Sequence, residues 1–138
     1  MTPRPGAVPG GTLVLDSEGL AKAVLRDREV TSWLALARAD DLRVVTSAAT
    51  LVEVMHPGIN QAALQWTLSR ITVEPVTEAV AHSAAALLAE AGLHGHEYAV
   101  DAMVAATALS SPGPVTVLTS DPEDLVVLCG GRAAVIAI

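Results

Sequence analysis

Five short runs of aliphatic and β-branched residues, "TLVLD", "LRVVTS", "ITVEPV", "VTVLTS" and "AAVIAI", are separated by segments of helical composition. This alternation constrains the fold more than any other feature. Strands apolar on both faces need cover on both, and helices between successive strands carry the chain back to the same edge. The pattern therefore predicts an α/β sandwich with a mainly parallel central sheet. Local signals place the helices. "SEGLAKAVLRD" and "EVTSWLALARA" follow the first strand, and Thr46 or Ser47 caps a helix over 48–56 that Pro57 and Gly58 stop. Asn60 caps a helix over 61–70, and Thr77 with Glu78 opens a long alanine-rich helix closed by Gly92. A helix through "HEYAVDAMVAATAL" ends at "SSPGP", and Pro122 starts a short helix over 122–129. Residues 12–138 read as a single domain behind a flexible leader over 1–11, "MTPRPGAVPGG", which has no apolar signal-peptide core.

Composition removes several function classes. Hydrophobic residues make up 51% of the chain, but every apolar run is interrupted well short of the ~20 residues of a membrane span. The single Cys129 excludes an internal disulfide and a multi-cysteine zinc site, and a reducing cytoplasm is the expected setting. The net charge is -7, with 8 basic against 15 acidic residues and Lys22 as the one lysine, so nucleic acid is not held by bulk charge. Aromatics are limited to Trp33, Trp66 and Tyr98, too few for a base-stacking platform.

The acids carry the chemistry. Asp101 stands alone in an apolar helix, between Ala99 and Val100 on one side and "AMVAA" on the other. A buried unpaired carboxylate costs several kcal/mol unless something compensates it. Asp16 ends the first strand and Asp121 follows the fourth, which puts both at the carboxyl edge of the sheet, where α/β folds gather function. Glu53 lies among Leu51, Val52, Val54 and Met55. Four carboxylates in apolar contexts raise one another's pKa. A divalent cation resolves that conflict, and hard oxygen ligands suit Mg²⁺ or Mn²⁺. Such an ion also supplies the positive charge the surface lacks and activates water for attack on a phosphodiester. The four carboxylates are expected to converge within about one metal-site diameter, paired metals lying about 3.5 to 4 Å apart.

On these residues the chain resembles the PIN-domain ribonucleases, and within them the VapC-type toxins of bacterial toxin-antitoxin pairs. The resemblance runs from about Thr12 to Ile138. It rests on "LVLDSEGLAKAVL", "TSAATLVEV", "YAVDAMVAATAL" and "VLTSDPEDL", which hold the four acids in the family's order. It implies a three-layer α/β/α sandwich and Mg²⁺- or Mn²⁺-dependent hydrolysis of RNA. It also implies Asp16, Glu53, Asp101 and Asp121 as metal ligands and catalytic groups, with Thr119, Asp124 and Ser17 in support. A homodimer and an antitoxin partner belong to the same implication, with the antitoxin packing on the first helices and Trp33 as a contact. Two departures stand out: Glu18 replaces a small polar residue, and the leader is long.

Plainer readings compete for single residues. Asp16 and Asp121 are also in place to cap helices, Glu53 to pair with an arginine, and Asp124 to sit exposed in a first turn favoured by the helix dipole. His94 and His96 lack further clustered ligands, and His56 and His82 read as surface residues. Arg26, Arg28, Arg38 and Arg43 read as a solvated helix face, with a contribution to RNA or partner binding as the alternative. At the level of function the competitors are an inactive PIN-fold interaction module and a haloacid-dehalogenase-type phosphatase. The phosphatase needs an Asp two residues after the first and a well-placed lysine, where this chain has Glu18 and only Lys22.

Overall fold

The computed structural model describes residues 11–138; the leader expected over 1–11 lies outside the described residues except for Gly11. Strands β1 (Thr12–Leu15), β2 (Arg43–Ser47), β3 (Thr72–Glu74), β4 (Val115–Thr119) and β5 (Ala134–Ala137) form one sheet in the order β3-β2-β1-β4-β5. Every pairing is parallel, so the expected mainly parallel sheet is wholly so. The helices are α1 (Ser17–Val24), α2 (Arg28–Ala39), α3 (Ala48–Val54), α4 (Gln61–Ser69), α5 (Glu78–Ala91), α6 (Gly95–Leu109) and α7 (Pro122–Cys129). The architecture is the expected three-layer α/β/α sandwich.

The two-residue period of a strand sorts the core into layers. Val14, Val45 and Val117 face α5, α6 and α7, where they meet Leu88, Ala102, Ala105 and Leu125. Leu13, Leu15 and Leu118 face α1 and α2, where they meet Ala23, Val30 and Ala37. Leu20, Val24, Val54 and Leu64 make a third cluster that ties α1 to α3 and α4.

Caps fall where the sequence puts them. Ser47, Asn60 and Thr77 accept N-terminal amides of α3, α4 and α5, and Gly92 closes α5 in the left-handed conformation at φ 68°. One boundary differs. The helix expected over 48–56 ends at Val54, because Pro57 disfavours helical geometry at His56 and Met55 has already turned extended.

The connections fix where a site belongs. From β1 the chain moves outward to β2 and β3, then crosses back through α5 and α6 to place β4 on the other side of β1. The direction of winding reverses between β1 and β4. The crevice beyond their carboxyl ends is the topological switch point, the usual ligand site of such sheets.

Candidate metal centre

Asp16 and Asp121 leave the sheet at this crevice, on adjacent strands joined in register from Thr12↔Val115 to Leu15↔Leu118. Asp16 caps α1: its Oδ1 accepts the Gly19 amide at 2.7 Å, and its own amide donates to the Leu118 carbonyl at 3.2 Å. It is buried, and burial pushes its carboxyl above the ordinary value, opposed by hydrogen bonds from the Thr119 hydroxyl and the Gly19 amide. Gly19 makes this seat possible, since a Cβ there would lie 3.1 Å from the Leu118 carbonyl oxygen and 3.4 Å from Asp16 Oδ1.

Asp121 stands at the same position before α7, but its side chain makes no capping bond. Its carboxylate instead joins those of Asp101 and Asp124, with one oxygen from each lying within 4.8 Å of the others. Asp124, one turn into α7, is half-buried, and its carboxyl is held above the ordinary value by its hydrogen bond to Asp121 first and by burial second. Asp101 reaches the group from α6. Its pKa is pushed up to about 6, by burial first and then by Asp121, Asp124, Asp16 and Glu53.

Glu53 enters from α3 and is held by the Ser17 hydroxyl, with no arginine paired to it among the described residues. Asp16, Ser17, Glu18, Glu53, Asp101 and Asp121 all line one open cavity of about 860 Å³. The structure thus brings the four acids of the sequence reading to one cavity, while the tightest group is Asp101, Asp121 and Asp124. Thr119 and Ser17 touch the acids directly, through Asp16 and Glu53.

One premise of the sequence reading is corrected. The four acids were expected in apolar surroundings, yet only Asp16 is buried; Asp101 is half-buried, and Glu53 and Asp121 are exposed. Around Glu53, Val52 and Met55 face outward, Val52 being 81% exposed, while Val54 turns into the core. Successive helical residues point about 100° apart, so chain neighbours do not report a residue's burial.

Two further residues belong here. Gly19 is one, three residues after Asp16. Tyr98 is the other, one turn before Asp101 at a break in α6 with φ -114° and ψ 19°. Its hydroxyl is pushed above the ordinary range by Glu97 first, then by Asp124, burial, Asp121 and Asp101. The three-residue spacing to a predicted site acid was visible in both cases.

The donor set fits a hard divalent ion. All of its ligands are carboxylate oxygens, they crowd closely enough to raise Asp101, and no ion pair to a lysine or arginine neutralises them among the described residues. Histidines contribute little. Among the cavity residues is His56, whose Nδ1 accepts the Gly58 amide at 3.1 Å.

The family model of the PIN domain matches residues 13–125. Three solved structures are similar. The crystal structure of VapBC2 from Rickettsia felis, bound to a DNA fragment from their promoter, aligns with a TM-score of 0.67 at 15% identity over 92% of this chain and 98% of that one. The crystal structure of FitAcB from Neisseria gonorrhoeae aligns with a TM-score of 0.59 at 24% identity over 90% and 96%. A structure of FitAB bound to an IR36 DNA fragment gives 0.59 at 24% over 91% and 94%. At these identities the likeness is one of fold. No curated protein sequence matches the chain.

Proposed function

The chain belongs to the PIN-domain family, and from that premise we propose that it is a Mg²⁺- or Mn²⁺-dependent endoribonuclease acting as the toxin of a toxin-antitoxin pair. The observation that carries the reading is the convergence of Asp101, Asp121 and Asp124 beside Asp16 and Glu53 at the switch point, without a neutralising cation among the described residues. Asp101, Asp121 and Asp124 would hold the ion. Bound there, a divalent ion supplies Lewis acidity to phosphodiester hydrolysis and screens the phosphate from the surrounding acids.

The residues divide the remaining work. Asp16, fixed by the Gly19 amide and the Thr119 hydroxyl, keeps one carboxylate oxygen in a constant place. Glu53, exposed at the mouth and oriented by Ser17, is the carboxylate placed to position the attacking water and take its proton.

The partner reading rests on likeness. VapBC2 and FitAB were each solved on DNA fragments, which supports a DNA-binding antitoxin for this chain; the homodimer rests on the family resemblance alone. No helix among the described residues is long and apolar enough to cross a membrane, in keeping with the cytoplasmic setting we propose. Two measurements test the function. RNA cleavage by the purified full chain should require Mn²⁺ or Mg²⁺ and stop in chelator, and Asp101→Asn should remove both the cleavage and any growth arrest on induction. Cleavage that persists in chelator, or in Asp101→Asn, would overturn it.

A further inference from the structure

The chain is acidic overall, with a net charge of -7, yet its few arginines are not scattered. The Arg26 and Arg70 guanidinium carbons lie 5.2 and 5.0 Å from the centre of the Trp66 ring, both within cation–π range. Trp66 is 50% exposed, so this is a surface arrangement and not a piece of core. Neither arginine has a carboxylate partner among the described residues. Arg26 also holds a left-handed backbone, φ 57°, where glycine would be easier to accommodate.

Position gives the cluster meaning. Arg26 lines the acid cavity, while Arg70 lines a second hollow of about 220 Å³ together with Arg38 and Arg43. Positive charge therefore extends from the lining of the acid cavity across Trp66 to the next hollow, which lies by the amino ends of β2 and β3, away from the acids. Trp66 and Arg70 keep their spacing because they lie four residues apart, at α4 and its C-terminal cap.

We propose that Arg26, Trp66 and Arg70, continued by Arg38, form the track that binds the phosphates of the RNA strand on one side of the scissile bond; Arg43 is already paired with Glu74 at 2.8 Å and is not part of it. The placement at the scissile bond rests on the nuclease reading above; the binding of a strand does not. Guanidiniums held against an indole lose less freedom on gripping a phosphate, and their planar donor forks suit its oxygens. A repeating polyanion matches a spaced row of cations. The alternative polyanion, an acidic protein segment, is disfavoured because the row runs into a cavity of carboxylates, which repels another carboxylate. A phosphodiester strand meets the same acids through a divalent ion, and its bases also gain the exposed part of Trp66.

The test uses the full chain with Ca²⁺ in place of Mg²⁺, a labelled single-stranded RNA, and binding followed from low to moderate salt. The double variant Arg26→Gln/Arg70→Gln should bind about tenfold more weakly at ~0.1 M salt. Its slope of log affinity against log salt should fall by about 1.4, the share of two phosphate contacts on a single strand. Arg26→Lys/Arg70→Lys keeps the charges and should restore the slope. If the glutamine variant keeps the wild-type affinity and slope, the track is refuted. It is refuted equally if the lysine variant behaves like the glutamine one, which would mean that the arginines only hold Trp66. A glutamate-rich peptide that loses affinity in the glutamine variant while RNA does not would assign the row to a protein partner instead. Mn²⁺-dependent cleavage by the wild-type preparation is read alongside. Absent cleavage with the predicted slope change sinks the nuclease reading and leaves the track; cleavage with an unchanged slope does the reverse.

Discussion

The junctions from β1 into α1 and from β4 into α7 look alike in sequence, and the structure uses them for opposite purposes. Each has an acid at the end of a strand and a helix starting on the next residue: Asp16 before Ser17, Asp121 before Pro122. Asp16 turns inward and is satisfied by donors of the protein itself, the Gly19 amide and the Thr119 hydroxyl. Asp121 turns outward, leaves the cap unmade and meets two more carboxylates. An acid surrounded by donors is a structural fixture. An acid surrounded by acids is a demand for a cation, and the two kinds respond differently to mutation, pH and metal.

The sharpest way to break this contrast is to neutralise the outward group. Asp101→Asn or Asp121→Asn should lower divalent-dependent RNA cleavage by more than about a hundredfold, since even partners that only support metal ligands cost about 10- to 100-fold when changed. Thermal unfolding of the same preparations in chelator should show equal or higher stability, because one of the mutually repelling charges has gone. A drop of about 3 to 5 kcal/mol with cleavage intact would instead mark a buried ion pair that has lost one member, and the contrast would collapse.

The inward junction should give the reverse pattern of stability. Asp16→Ala removes a capping acceptor and leaves the Thr119 hydroxyl without its carboxylate, and should cost about 1 to 2 kcal/mol in urea unfolding. Asp16→Asn keeps a good capping residue and should recover most of that loss while cleavage stays impaired. Equal stability of the alanine and asparagine variants would show that the cap contributes nothing.

Acidity should separate the regions without mutation. Asp101 has its pKa raised from 3.8 to about 6 in the folded chain. A raised carboxyl binds its proton more tightly in the folded state, so its stabilising contribution is complete below the ordinary value and is lost as pH rises through about 6. Metal-free protein should therefore lose stability between about pH 4 and 6, by an amount on the order of 1 to 3 kcal/mol after allowance for solvent screening. Mg²⁺ should restore it at neutral pH and bind more weakly as pH falls through the same window. A flat stability profile in chelator would show that the acids do not repel one another as the geometry requires.

Much of this was legible in the chain, and the reasons differ by feature. The parallel sheet follows from strands apolar on both faces and separated by helices, and the caps at Ser47, Asn60 and Thr77 are set by local hydrogen-bonding chemistry. The placement of Asp16 and Asp121 at one edge follows from chain direction alone. Exposure was not legible. Glu53 looks enclosed in "LVEVM", but only Val54 of these turns into the core while Val52 and Met55 lie on the surface, so Glu53 is exposed. Asp124 reads as a solvated first-turn acid, and only the approach of α6 to α7 gives it Asp101 as a neighbour. The three-residue spacing of Gly19 from Asp16 was visible, but the tight fit of Gly19 against the Leu118 carbonyl, far away in sequence, was not.

The smallest expected effect comes from the one residue that links the two junctions. Thr119 donates its hydroxyl hydrogen to Asp16 and accepts the Asp121 amide at 2.9 Å, so the inward carboxylate and the outward backbone are held by one oxygen. Thr119→Val keeps the shape and removes that oxygen. Because Thr119 is fully buried, no water replaces the lost bond at Asp16, and the cost should be about 1 to 2 kcal/mol. With the lowering hydrogen bond gone, the Asp16 carboxyl should rise further above the ordinary value, and stability should fall more steeply with increasing pH than in the wild type. Cleavage should fall about tenfold and not vanish, since Asp101, Asp121 and Asp124 keep their charges while Asp121 loses only its tether. Comparing Thr119→Val with Thr119→Ser, which retains the oxygen, separates the two roles: recovery of both the pH slope and the cleavage in the serine variant is the expected result. Thr119→Val that cleaves at the wild-type rate would show that the two junctions act independently, each placing its acid without the other.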